Sequence, residues 1–314
     1  MLGRSASGVL WMFRYLERAE NTARLLDAGF RMALTRTSTT ASDEWGSVLA
    51  TLGQQALFSQ RHKEISGPLV FNFILRDREN DGSVLWMIEH ARTNARMVRT
   101  AITREVWEAT NEAWMVLREA LSRPVRDSTL GEVLALVRRQ TMLVRGAMET
   151  TMLRNEIFNF ARIGTYLEAA DNTARILDVK YHVLLPSVAW VGSVLDHAQW
   201  EMLLRSVAGE RAFRWLNSGL LNRRGIAEFL ILDGRFPRSI AYAYAKIASN
   251  MTGLAHQYGE EAPAHVLLRE AIARLHGVDI AGIFDFGLHE FLTEFILRTR
   301  NLAAEIARDY RFVA

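Results

Sequence analysis

The sequence predicts an all-α protein, and three observations carry that prediction. No run alternates apolar and polar residues strictly for more than a few positions, as a half-buried strand requires. The five prolines, Pro68, Pro124, Pro186, Pro237 and Pro263, all fall where a helical pattern starts or stops. The segment YLERAENTARLLD (Tyr15–Asp27) returns as YLEAADNTARILD (Tyr166–Asp178), identical at ten of thirteen positions with an offset of 151. A charged amphipathic helix carried twice marks an internal duplication.

In the first helix, about 5–35, Met12, Leu16, Ala19, Ala23, Leu26 and Phe30 recur at spacings of four and three and form one apolar face. The polar stretch Thr35–Ser42 that follows reads as a loop. Further helices are expected near 43–53, 66–76 (opened by Pro68), 81–103, 104–122 and, after Pro124, 128–153. The second half repeats the scheme. A helix near 155–185 carries the second copy and stops before Pro186, followed by one near 196–208. The next, 223–232, ends at the Asp233-Gly234 turn, and 237–257 runs from Pro237 towards Gly259. Two more, 262–276 (opened by Pro263) and 280–311, close the chain. The later landmarks keep register. Glu44-Trp45 matches Gln199-Trp200, the Phe73/Asp77 pair matches Phe229/Asp233, and Ser83 and Asn94 match Ser239 and Asn250. The expected architecture is one compact helical domain over 1–314, built from pseudo-repeats 1–153 and 154–314 of about six helices each.

Composition removes several function classes. The 314 residues contain no cysteine, so disulfides, thiolate nucleophiles and thiolate metal sites are excluded. No stretch of about 20 residues lacks charge, which argues against a membrane span. Arg14 and Glu17 arrive too early for a signal-peptide core, so the expected location is the cytoplasm. The net charge is +3, and Lys63, Lys180 and Lys246 are the only lysines. Such a small excess with no recognised motif is not a nucleic-acid footprint. Arginine-rich composition suits bidentate pairing inside helix contacts, and codon usage explains it equally well.

Two polar stripes are candidates for chemistry. At 100° per residue, Glu17, Glu20, Asn21, Arg24 and Asp27 share an arc beside the apolar face. Glu168, Asp171, Asn172, Arg175 and Asp178 repeat that arc, while Arg18 has become Ala169. In one reading the arcs are buried ion-pair networks that set helix register. In the other they line a groove for a charged peptide, amino acid or phosphate, with Glu17 or Glu20 as acid/base and Arg18 or Arg24 as anion clamp. A second stripe, Arg92, Arg96 and Arg99 with Glu89, lies on the helix 81–103 and has no basic counterpart in the other half. It reads either as a solvated face or as a patch for an acidic partner.

Other signals fail. There is no phosphate loop, no H-E-x-x-H and no nucleophile elbow, and none of the eight histidines follows a Glu by three residues. Asp178 and His182 have ligand spacing, but a helix-surface contact explains them better, and no metal or other cofactor is expected. Trp11, Trp86, Trp107 and Trp114 sit at apolar helical positions and read as packing.

Three runs carry a family resemblance: WMFRYLERAENTARLLD (Trp11–Asp27), TMLRNEIFNFARIGTYLEAADNTARILDVKYHVLLP (Thr151–Pro186) and IAEFLILDGRFPRSI (Ile226–Ile240). The chain resembles the alpha-E family over essentially its whole length, with Glu17-Arg18 at the position of the family's Glu-Arg motif and Glu168-Ala169 departing from it. The resemblance implies a bacterial all-helical protein associated with a circularly permuted ATP-grasp protein and, in some settings, a transglutaminase-like peptidase. The expected role is then a non-catalytic binding subunit in peptide synthesis or protein modification, inactive alone, that docks the ATP-grasp enzyme or presents a peptide to it. The alternative is a small enzyme acting on peptides or amides.

Overall fold

The computed structural model describes residues 3–34, 38–183, 194–217 and 221–312. Fifteen helices form among them. They fall into two compact units, residues 11–153 and residues 1–10 with 154–314.

The unit 11–153 takes most of α1 (Gly3–Ala33), then α2 (Ser38–Thr51), α3 (Gln55–Arg61) and α4 (Gly67–Arg76), followed by α5 (Val84–Met97), α6 (Arg104–Ala120) and α7 (Asp127–Thr151). Here α6 packs against α5 and α7, and α4 against α2 and α5. The stripes that meet follow helical spacing: Val106, Thr110, Ala113 and Leu117 on α6, and Leu130, Leu134, Val137, Val144 and Met148 on α7. Burial reaches around most of α1. Met12, Leu16, Ala19, Ala23 and Leu26 are buried as the spacing predicts, Phe30 is half-buried, and Glu17, Glu20, Asn21 and Thr22 are buried too.

The other unit contains α8 (Glu156–Val183), α9 (Val194–Ser206), α10 (Glu210–Leu216) and α11 (Arg223–Ile231), then α12 (Ile240–Tyr258), α13 (Pro263–His276), α14 (Ile280–Phe286) and α15 (Leu288–Asp309). Its centre is α8, packed chiefly on α12 and α15. Gly164 lets α8 approach the backbone of Leu10, because an added Cβ there would stand 2.3 Å from the Leu10 carbonyl oxygen.

Several boundaries differ from the sequence reading, each for a local reason. Helix α5 stops at Met97, where Val98 caps it, and a turn follows in which the Ala101 amide donates to the Val98 carbonyl. The expected helix 280–311 is two helices, broken at Gly287, whose φ of 112° no continuing helix accepts. Helices α3 and α10, at seven residues each, are too short to show a period. Ser38–Ser42 opens α2 instead of forming a loop, and 35–37 lie outside the described residues, as do Pro186 and the side chain of His182. Gly259 terminates α12 in the left-handed conformation, with φ 77°.

Candidate functional site

The first charged stripe is a closed ion-pair ladder between α1 and α7. Arg145 reaches across from α7 and bridges two carboxylates: its Nη1 donates to Glu17 Oε2 at 2.6 Å and its Nη2 contacts Glu20 Oε2. Arg24 holds the other oxygen of Glu20, with Nε and Nη2 at 2.9 and 2.7 Å from Oε1. Thr141 Oγ1 lies 3.3 Å from Glu20 Oε2, with the carbonyl oxygens of Arg138 and Val137 at 3.0 and 3.2 Å also in reach of its single proton. One turn further along, Arg138 Nη1 meets Asp27 Oδ2 at 3.3 Å, and Arg31 approaches the other oxygen at 3.4 Å. Positions 138, 141 and 145 rise along α7 as 27, 20 and 17 fall along α1, so the two helices run antiparallel at this seam.

This geometry decides what the acids can do. Glu20 has no solvent exposure and Glu17 has 2%. Burying one carboxylate costs several kcal/mol unless it is paired, and a carboxylate accepts about four hydrogen bonds. Glu20 receives four contacts, two from Arg24, one from Arg145 and one from Thr141. Both oxygens of Glu20 are thus engaged by arginine. Asn21 is buried alongside, and Arg18 is half-buried and likewise engaged.

The second stripe is built differently. Arg175 clamps Asp171 through Nε at 2.6 Å and Nη2 at 3.2 Å, the same i,i+4 pairing as Glu20 with Arg24. Asp178 pairs with His289 of α15 at 2.5 Å. Glu168 is buried and Asn172 is half-buried. Beside Asp171, the Tyr244 hydroxyl bonds Thr299 Oγ1 at 2.7 Å, and burial holds the phenol well above its usual range.

The basic stripe of α5 meets a tryptophan stripe of α6. Arg92 Nε donates to Asn111 Oδ1 at 2.8 Å, and its guanidinium carbon lies 4.2 Å from the ring centroid of Trp114. Arg99 lies over Trp107 at 5.4 Å, and Arg118 over Trp114 at 4.3 Å. Arg96 is exposed between them, with Met97 and Met115 also exposed nearby. Trp107, Asn111, Trp114 and Arg118 follow helical spacing, so one face of α6 supplies the platforms. Among the described residues, none of Arg92, Arg96, Arg99 and Arg118 forms an ion pair, in contrast to Arg24, Arg138, Arg145 and Arg175. Cation–π contact fixes flat guanidinium groups at low entropic cost while leaving their edge donors open.

The sequence reading missed Arg138, Thr141 and Arg145, although their spacings of three and four place them on one face of α7. It also read Trp107 and Trp114 as packing residues, whereas both are half-buried platforms for arginine. Among the described residues, no group of three His, Asp or Glu side chains is placed to hold a metal ion, and no helix is long and apolar enough to cross a membrane.

Comparison with known proteins adds the family. Uncharacterised proteins of Mycobacterium bovis and Mycobacterium tuberculosis are 20% identical over 312 residues, covering 93% of this chain and 35% of their own length. The chain thus spans about a third of the curated relatives it matches. No solved structure matches it. The model of the Alpha-E family, described as a predicted alpha-helical domain with a conserved ER motif, matches residues 1–311, and the chain belongs to that family.

Proposed function

We propose that this chain is a non-catalytic binding subunit of an ATP-grasp-dependent peptide-synthesis or protein-modification system in the cytoplasm. The observation that carries the reading is the α5–α6 face, four arginines without carboxylate partners, three of them laid on tryptophan. Arginine, tryptophan and methionine dominate the energetics of protein interfaces, and an unneutralised guanidinium cluster selects an acidic surface. Glu17 and Glu20 are buried and both paired with Arg145, which supports a structural role for the Glu-Arg motif over an acid/base one. The partner is then the circularly permuted ATP-grasp protein that the family resemblance implies, with a transglutaminase-like peptidase as an accessory.

The same reading treats the domain as two pseudo-repeats, 1–153 and 154–314. Ser83 and Ser239 cap α5 and α12 alike, each accepting from the amide three residues on. Asn94 and Asn250 each donate back to the carbonyl four residues earlier. Asp27–Arg138 and Asp178–His289 are both pairs 111 residues apart, so His289 stands where Arg138 stands in the first copy.

The test is a binding titration against the ATP-grasp protein, read by light scattering, with ATP hydrolysis followed alongside. Arg96→Glu with Arg99→Glu is the informative variant, because among the described residues neither side chain makes a hydrogen bond or ion pair, and Arg92 does. The expected result is loss of the complex and weakening with added salt. Unchanged binding by the variant removes the face from the hypothesis. A Glu17→Gln protein that folds but loses an amide-directed activity would move the assignment to an enzyme.

A further inference from the structure

A second feature of the unit 11–153 is an open cleft of about 750 Å³ where the C-terminal ends of α4 and α6 meet. Its size lies within the range of about 300–1000 Å³ typical of small-molecule sites. The apolar part of its wall includes Leu69, Phe73 and Leu85, with Leu69 38% exposed. The charged groups around it do not cancel. Asp77 is spent, since Oδ2 accepts from Arg61 at 3.1 Å and Oδ1 from the Glu79 amide at 2.9 Å. Arg76 uses Nε and Nη2 on the carbonyls of Leu121 and Ser122, at 3.0 and 3.1 Å, so no carboxylate neutralises its charge. Arg78, Arg118 and Glu119 are exposed, and among the described residues none of the three forms an ion pair. Three cations and one anion thus face a cleft with an apolar wall.

We infer that this cleft binds an amino dicarboxylate of amino-acid to dipeptide size, such as glutamate or a dipeptide ending in it. Two carboxylates match the arginines, one ammonium matches Glu119, and the intervening methylenes lie on Leu69 and Phe73. Arginine favours planar carboxylates through paired N–H donors, and Arg78 and Arg118 both have theirs open. The cleft shares Arg118 with the docking face, but its ligand binding is measured on the chain alone, so the two readings fail separately.

The experiment is calorimetric titration of the full chain with L-glutamate, glycyl-L-glutamate, succinate and inorganic phosphate. Saturable binding of the two amino dicarboxylates is expected, with dissociation constants near or below ~1 mM. Arg78→Gln should weaken both by about tenfold to a hundredfold, the worth of one charge-assisted hydrogen bond. Glu119→Gln should weaken glutamate and leave succinate unchanged. Leu69→Trp, which fills the cleft without touching a charge, should abolish binding while circular dichroism shows the fold retained. Absence of saturation by any carboxylate in the millimolar range overturns the inference. So does binding by Arg78→Gln equal to the wild type, or tighter binding of phosphate than of glutamate.

Discussion

Replacing Arg145 with Met tests the α1–α7 seam directly. The substitution keeps most of the side-chain volume and removes the guanidinium that bridges Glu17 and Glu20. Both carboxylates stay buried, so the perturbation is an uncompensated charge and not a cavity. Removing one partner of a buried pair costs about 3–5 kcal/mol. The low end applies here, because Arg24 still holds Glu20, and Arg145 itself is 24% exposed. A loss of about 3 kcal/mol corresponds to a fall in melting temperature of roughly 6–12 °C for a domain of this size. Urea unfolding followed by circular dichroism gives the stability change. Adding Glu17→Gln to Arg145→Met should recover part of the loss, since the carboxylate that Arg145 held is then uncharged while Glu20 keeps Arg24. A single variant within about 0.5 kcal/mol of wild type, the usual range for surface changes, would show that solvent already screens the ladder and would refute the argument that it fastens α1 to α7.

Three further outcomes follow from local geometry. Ser83→Ala should cost about 1 kcal/mol as a lost N-cap. Ser239→Ala should cost more, because that hydroxyl also donates to the Asp233 carbonyl; equal losses in denaturant titrations would contradict this. Gly287→Ala forces a side chain onto a φ of 112° and should cost about 1–3 kcal/mol, read from the urea midpoint; a neutral result would mean that α14 and α15 rearrange at little cost. The Arg235 guanidinium hydrogen-bonds Asp233 and holds its carboxyl below the usual 3.8. A depressed native pKa contributes stability that is present above 3.8 and lost as the pH falls through the native value. Carbon-detected NMR titration should therefore find Asp233 titrating below an Asp in an unfolded peptide, and Arg235→Gln should bring it back; a midpoint unmoved by that change would count against the pairing.

The all-α class was legible because it rests on local information: spacing of apolar residues, proline placement and the repeated segment. The charged arc of α1 was legible for the same reason, and Glu20 with Arg24 pairs as the i,i+4 rule expects. The identity of its partners was not. Arg145 is 128 residues from Glu17 and Thr141 is 121 from Glu20, and no periodic rule connects residues so far apart. The structure seats Arg145 among the acids, which supports the network reading of this arc. The tryptophans show the opposite limit. Trp107 and Trp114 occupy positions of packing type on α6, and only their contact with arginines from a neighbouring helix reveals a surface role. Gly287 was visible as a residue, but a single glycine in a helical pattern does not announce a positive φ.

Helix α1 is shared between the two compact units, residues up to 10 in one and from 11 in the other. That division bears on the order in which a nascent chain gains its structure. Residues 11–153 form a contiguous stretch and can close on themselves as soon as α7 has left the ribosome. The other unit needs Val9 and Leu10, both buried, to meet a helix that begins about 150 residues later in synthesis, where Gly164 receives the Leu10 backbone. Loop closure over such a distance is entropically modest, since each doubling of length adds only about 0.6 kcal/mol. The delay is the larger matter: Val9 and Leu10 wait for α8 to be made before their unit can close. A nascent chain that ends before α8 therefore carries Leu10 without the Gly164 surface that receives it.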